Sequence, residues 1–399
     1  MAKFDPDRVV SDLRELARFG AYKTGVHRPT FSDEDIAARR WFAVKLEEAG
    51  LEASIDGIGN VYGTSSAPGP KLLAGSHLES QNHAGWLDGA LGMVYALEAA
   101  RVVPGVEVAA WCDEEGHFGS FLGSRSFTGL LSEQDVDAAC NRYDGTPLRD
   151  ALAKAGLAGK PRRTFEPGRY RGFLEAHIEQ GDTLESTGLK IGVVTAIVAI
   201  WQYRITATGE QNHAGTTSMM RRRDAGLALV RLLAAIDQRF PETAGERSVW
   251  TTGRITLEPG APSIVPGRAE LLFQFRDADP DVLERLQAEL RRLIAEANTS
   301  GPCPIELEIL GQSRPALMDN ELQTTLEASA ERVASGKVVR MPSGAGHDAQ
   351  YLSRVMPAAM MFVPSIGGIS HHWTENTSDE DIATGAAAYV EAAAAILAR

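Results

Sequence analysis

Three short apolar runs in this chain each end in a side chain that can bind a metal. Lys71 to Ala74 leads through Gly75-Ser76 to His77, Val106 to Cys112 delivers Asp113-Glu114-Glu115, and Gly172 to Ala176 delivers His177. Runs of this length, bounded by polar or glycine residues, read as buried strands. Helical patterns alternate with them. Ser32 with Asp35 is a plausible cap pair opening a helix that ends near Gly50, and Ala90 to Val103 is again helical. In open α/β sheets ligands bind outside the carboxyl ends of the strands. An α/β fold of this pattern therefore carries three separate candidate ligands to one edge.

Two more residues complete a set. Asp88 lies in Trp86-Leu87-Asp88-Gly89 and His371 in Gly368-Ile369-Ser370-His371. With His77, Glu115 and His177 they make three imidazoles and two carboxylates, which match two first-row divalent metals if one carboxylate bridges them. Asp88, flanked by Gly85 and Gly89, is the natural bridge. Its plain alternative is a turn aspartate capping the helix from Ala90. Glu114 beside Glu115 fits a division of labour, one carboxylate on metal and the other free to take a proton from water. A random Glu-Glu pair would be only a solvated acidic turn. His372 competes with His371 for the ligand role, and His83 and His117 read as rim residues of the site. The set carries the weight, since any single member has an ordinary explanation.

At 399 residues, two domains are the default. The net charge of −13 argues against nucleic acid or an anionic membrane as partner. No apolar run approaches a membrane span, and the start Met1-Ala2-Lys3-Phe4-Asp5 has no charged-then-apolar signal pattern. Cys112, Cys140 and Cys303 are too widely spaced for a disulfide framework or a thiolate metal knuckle, which suits a reducing cytoplasm.

The texture changes from Trp201 to Gly311. Strand signals at Tyr203–Thr208, Val249–Leu257, Arg268–Phe275 and Ile305–Leu310, with helical ones at Asp224–Arg239 and Pro280–Ala297, give the order βαββαβ. That is a ferredoxin-like unit, and it holds none of the five ligand candidates. Afterwards α/β text returns, with a helix from Asn320, a strand at Ala358 to Phe362 and an Ala-rich helix from Asp379. The expectation is a discontinuous metal-binding domain, 1–200 with 316–399, interrupted by a smaller inserted domain at 201–315.

These segments, together with His177-Ile178-Glu179-Gln180-Gly181, Asn212-His213-Ala214-Gly215-Thr216-Thr217 and Pro342 to Ala349, resemble the hydantoinase/carbamoylase family of metal-dependent amidohydrolases. That family includes N-carbamoyl-L-amino acid hydrolases, allantoate amidohydrolases and β-ureidopropionases. The similarity runs from about Phe31 to the final helix. It implies a metallopeptidase-like catalytic domain with an inserted lid or dimerisation domain, and a homodimer. His77, Asp88 and His177 would hold one divalent metal, and Asp88, Glu115 and His371 the other, with zinc, manganese, cobalt or nickel all acceptable to such ligands. Glu114 would be the general base acting on a water that bridges the two ions. His213, matching a histidine that in the family often reaches across a dimer interface, would polarise the scissile carbonyl, and Arg276 would grip the carboxylate of a small-molecule substrate. Gln180 and Ser263 would line the pocket, with Gly344 to His347 as a backbone-rich wall. Without the resemblance, Arg276 would read as an ion-pair partner of Asp277 or Asp279. Arg221 to Arg223 read as a solvated helix start and interface rather than a substrate site.

Four departures from the family pattern fall around the substrate and the ligand shell. Glu79 stands where an aspartate usually orients the first histidine, Ser263 where asparagine is usual, and Gln274 where an aspartate precedes Arg276. The loop after Gly116 is about two residues shorter than usual, and His117-Phe118 replaces x-Arg-Phe. The expected activity is hydrolysis of a ureido or N-carbamoyl acid to ammonia, carbon dioxide and the amino acid. The alternative is an N-acyl or dipeptide amide hydrolase. An inactive metal-binding interaction protein would have lost the base or a ligand, and neither is lost.

Overall fold

The structure is a computed structural model that describes residues 3–399, so the reading of the first five residues falls partly outside it. The chain divides into two compact units. One runs to Ile197 and resumes at Leu317; the other is Val198–Ala316. No helix among the described residues is long and apolar enough to cross a membrane.

The first unit is built on a nine-stranded mixed sheet. Four neighbouring strands form its centre, in the order Ala358–Val363, Tyr170–Ile178, Lys71–His77 and Val106–Trp111, all parallel. Their residues are buried on both faces almost throughout, as in parallel sheets covered by helices. Because the four run the same way, their carboxyl ends open on one edge. His77 there pairs with Trp111, and His177 with Phe362. The sequence had located these four strands but not Ile191–Ile197 and Val338–Ser343, which pair with each other farther out.

Helix Ala90–Val102 is buried along every face from Ala90 to Ala99, packed between the sheet and helices Pro6–Leu16 and Asp379–Leu397. Such all-round burial needs small residues where backbones approach. A Cβ at Gly92 would lie 2.2 Å from the Ala176 carbonyl oxygen. This close seat brings the turn before the helix, with Asp88, against the strand that ends near His177.

The second unit is a four-stranded antiparallel sheet in the order Val249–Glu258, Arg268–Asp277, Ala199–Thr208, Ile305–Gln312. Helices Ala225–Arg239 and Pro280–Ser300 pack on it. Strand Arg268–Asp277 shows why: Ala269, Leu271, Phe273 and Phe275 are buried, while Glu270, Leu272, Gln274 and Arg276 between them are half-buried on the other face. A separate ribbon of Asn212–His213 against Ile264–Val265 was not expected, because two-residue strands carry no periodicity.

Candidate metal centre

Asp88 stands at the meeting point of the sequence candidates. Its Oδ1 lies 3.3 Å from His77 Nε2 and 2.9 Å from His177 Nε2, and its Oδ2 lies 3.4 Å from His371 Nε2. Glu115 Oε2 is 3.8 Å from the same His371 nitrogen. The five residues thus form two ligand-grade groups, His77–Asp88–His177 and Asp88–Glu115–His371, with donor atoms within 4.8 Å of one another in each. Asp88 contributes a different oxygen to each group. The capping alternative fails: helix Ala90–Val102 has no side-chain cap.

The two histidines on the strand ends are oriented by the backbone. His77 Nδ1 sits 3.0 Å from the Glu79 carbonyl and His177 Nδ1 2.8 Å from that of Ile178, so each Nδ1–H donates outward and Nε2 faces Asp88. His77 Nε2 is buried without a hydrogen-bond partner. A lone pair there, facing an anion, needs a proton or a cation between them. Burial lowers the affinity of His77 for a proton, but Glu114, Asp88 and Glu79 outweigh it and raise its pKa well above the usual imidazole value. Burial likewise pushes Asp88 up, yet His177 above all, with His371 and His77 beside it, holds it well below the carboxylate range. Two imidazole nitrogens around one carboxylate oxygen are a donor set that fits a divalent cation. The turn is shaped for it: Gly89 has φ +68°, and a Cβ there would lie 2.4 Å from the His77 ring.

Glu114 Oε2 is 3.8 Å from His77 Nε2, close to the ligands but outside both groups. Burial raises its carboxyl well above the ordinary value against the pull of His77. Its backbone N–H donates to Glu79 Oε1 at 2.6 Å, and Glu79 Oε2 pairs with Arg39 at 2.6 Å. Arg39 also pairs with Asp35 at 2.9 Å. The Glu79 carboxylate, its Oε1 4.0 Å from His77 Nδ1, leaves that nitrogen to the Glu79 carbonyl and ties Glu114 to a buried arginine. Burial raises Glu79, but Arg39 and His77 pull it below the ordinary glutamate value. Arg39→Met, which strands two buried carboxylates, should destabilise the protein by about 3–5 kcal/mol in urea unfolding.

Ser32 caps helix Asp33–Glu48 as its sequence suggested, accepting the Asp35 N–H at 3.1 Å. The Asp35 carboxylate does not return the bond to Ser32; it accepts the Phe31 N–H and holds Arg39. Glu115 is fixed by Gln81, whose N–H and Nε2 donate to its two oxygens at 3.1 and 2.8 Å. Arg142 clasps the pair from behind, donating to Gln81 Oε1 and the Glu115 carbonyl, each at 3.0 Å. Neither Gln81 nor Arg142 was singled out in the sequence.

His371 sits differently, 52% exposed on a loop with φ +55°. Its hydrogen bond to Asp88 raises its pKa to about 9. Since this folded-state value is raised from 6.5, the pairing is fully present below 6.5 and lost as pH rises through about 9. A cation must displace that proton. Metal binding to the apo chain should therefore release protons, and affinity should climb between pH 6.5 and about 9. Titration calorimetry in two buffers of unlike ionisation heat checks this; affinity flat across the window would remove His371 from the ligand set.

Gln180 Nε2 donates to Asp88 Oδ2 at 2.8 Å, which places this pocket candidate at the centre. His347 is buried behind it, its ring 4.6 Å from that of His177 and its Nε2 2.9 Å from Ser343 Oγ. Burial holds its pKa well below the imidazole value. Gly344 lies beside Ser343 in the turn after strand Val338–Ser343, where an added Cβ would meet nothing within 4 Å. His372 turns to Thr374, with Nδ1 2.7 Å from its Oγ1. The two rim candidates have other surroundings. His117 is buried with Nδ1 on Thr30 Oγ1, and His83 stacks on His27.

In the second unit, His213 Nδ1 accepts the N–H groups of Gly215 and Thr216 at 3.0 and 3.2 Å. Its proton is thereby placed on Nε2, in an exposed ring ready to donate. Ser263 is its neighbour, the Ser263 carbonyl accepting the Ala214 N–H at 2.9 Å. Arg222, expected to be solvated, instead donates to the carbonyls of Thr217 and Ala214 and closes this loop. Arg276 and Gln274 share the half-buried face of strand Arg268–Asp277. Asp279 accepts the Asp281 N–H at the start of helix Pro280–Ser300, and Asp277 accepts the Asp279 N–H.

The sequence profile of Peptidase family M20/M25/M40 matches residues 80–395. An N-carbamoyl-L-amino-acid amidohydrolase from Paenarthrobacter aurescens is 33% identical, with 96% of each chain covered. An allantoate amidohydrolase from Escherichia coli is 34% identical over 93% of each. The crystal structure of an amidase of the hydantoinase/carbamoylase family from Burkholderia phymatum superposes with a TM-score of 0.91 at 46% identity, covering 98% of this chain and 97% of that one.

Proposed function

This chain belongs to peptidase family M20/M25/M40 and, within it, to the hydantoinase/carbamoylase amidohydrolases, so it is a hydrolase of non-peptide C–N bonds; we propose that it cleaves the carbamoyl C–N bond of a ureido acid carrying a carboxylate. The observation that carries this is the sharing of Asp88 between two ligand groups with Glu114 beside them. The named activities of the two relatives supply the ureido class.

His77, Asp88 and His177 would hold one divalent cation and Asp88, Glu115 and His371 a second. Bound there, such cations polarise the carbonyl and lower the pKa of water to about 7. Glu114 takes the proton from the attacking water and returns it to the departing nitrogen. Water adds to the carbamoyl carbon and one C–N bond breaks; the carbamic acid so formed loses its second C–N bond spontaneously, so that ammonia, carbon dioxide and the amino acid are the products. His213 donates Nε2–H to the carbonyl oxygen, and Arg276 binds the substrate carboxylate with its two-pronged guanidinium. Gln180, Gly344 and His347, and Ser263 in the inserted unit, would contact the substrate. The inserted unit is read as a ferredoxin-like lid that also pairs two copies into a homodimer, and the three free cysteines suit the cytoplasm.

Turnover by the metal-loaded protein tests this on N-carbamoyl, N-formyl and N-acetyl amino acids, allantoate, ureidopropionate and dipeptides. Ammonia from a ureido compound is the expected outcome. Release only of formate, acetate or amino acids from the others would favour the acyl or dipeptide reading, for which Ser263 in place of asparagine is the motive. Arg276→Lys should raise KM roughly 10- to 100-fold with kcat little changed, since lysine loses the paired hydrogen bonds. Equal losses in kcat would assign Arg276 another role.

A further inference from the structure

One buried carboxylate outside the ligand set ties the bridging aspartate to the loop of His371. Glu375 is 1% exposed. Its Oε1 accepts the backbone N–H groups of Leu87 and Asp88 at 3.2 and 3.1 Å, and its Oε2 accepts the Ser370 hydroxyl at 3.0 Å. That hydroxyl also lies 3.3 Å from Asp88 Oδ2. The Glu375 N–H donates to the His372 carbonyl, so Glu375 closes the turn that follows directly on His371. Opposite, Gly85 leaves the room: a Cβ there would lie 2.0 Å from the Glu375 carboxyl.

The two metal positions are supported unequally. His77 and His177 stand at the ends of paired parallel strands, where the sheet fixes them. His371 has only its loop. We propose that Glu375 is a positioning residue that holds Asp88 and His371 in one frame and thereby creates the second metal position, Asp88–Glu115–His371. The inference rests on the dinuclear part of the function proposed above, not on the substrate. Both arms of Glu375 are acceptor contacts, two from main-chain N–H groups and one from a hydroxyl. A glutamine keeps the two main-chain contacts, its amide oxygen accepting from Leu87 and Asp88, and reverses the third, its amide N–H donating to the Ser370 hydroxyl.

The test is titration of the apo protein with zinc, and separately with manganese, with circular dichroism to verify folding. Wild type should take up two ions. Glu375→Ala should bind the first with unchanged affinity and the second about 10- to 100-fold more weakly, the scale seen when partners of metal ligands are removed. Glu375→Gln should restore the second ion to within about threefold of wild type. Gly85→Ala, which drives a methyl into the carboxylate, should weaken the second ion alone, and combining it with Glu375→Ala should add little. Should Glu375→Ala not fold, Ser370→Ala and Gly85→Ala carry the same test. Two ions bound as in wild type by these variants, or both ions weakened alike, would overturn the proposal. So would a wild type that binds one ion. A wild type that binds two yet releases no ammonia from ureido acids would sink the proposed function and leave this inference standing.

Discussion

Glu114→Gln should lower kcat by about 10²–10⁴-fold, the usual worth of a positioned base, while both metal equivalents stay bound. The separation of effects follows from geometry. Glu114 lies 3.8 Å from His77 Nε2 but belongs to neither ligand group, and glutamine keeps its size. The amide cannot take a proton from water. The backbone N–H that anchors residue 114 on Glu79 is untouched by the change. Measuring kcat and metal content on the same preparation checks both halves. Activity within threefold of wild type would transfer the base role elsewhere, and loss of metal would make Glu114 a ligand.

The larger effect is expected at Asp88. Asp88→Ala removes an oxygen from each ligand group at once, so both ions should be lost and turnover should fall to background. A metal centre contributes several kcal/mol to such a reaction, and each 1.36 kcal/mol is tenfold in rate, so the fall should be on the order of 10⁴-fold or more. The fold should survive, because Glu375 holds the backbone N–H of residue 88 and not its side chain. By contrast His371→Ala should cost one ion. If Asp88→Ala retained two tightly bound ions, the bridging role would be wrong.

The five residues that the structure gathers into two possible ligand groups were legible in the sequence for a physical reason. A buried parallel strand is mostly apolar, so a histidine at its carboxyl end, or an acid in the loop just beyond, stands out, as His77, His177 and Glu115 do. Asp88 was legible from its flanking glycines, whose purpose only the structure reveals: Gly89 clears the His77 ring and Gly85 clears Glu375. What escaped notice depends on contacts distant in sequence. Nothing near Glu375 predicts that it accepts N–H groups from Leu87 and Asp88, nor near Arg39 that it reaches Glu79. Gln81 and Arg142 look like surface residues until the loop after Cys140 folds back on Glu115. The ribbon that carries His213 is two residues wide, too short for any periodic signal. In strand Arg268–Asp277 the alternation was plain, and it separates Arg276 from the core as it should.

The fate of a carbamoyl carbon tests metal-dependent ureido hydrolysis by this chain most directly. The apo chain, alone and after loading with two equivalents of zinc or manganese, is incubated with an N-carbamoyl amino acid carrying ¹³C in the carbamoyl group. Labelled carbon dioxide with matching ammonia and free amino acid is expected, only in the loaded samples. Label retained in intact substrate, while loaded enzyme from the same batch cleaves N-acetyl amino acids or dipeptides, would contradict ureido hydrolysis.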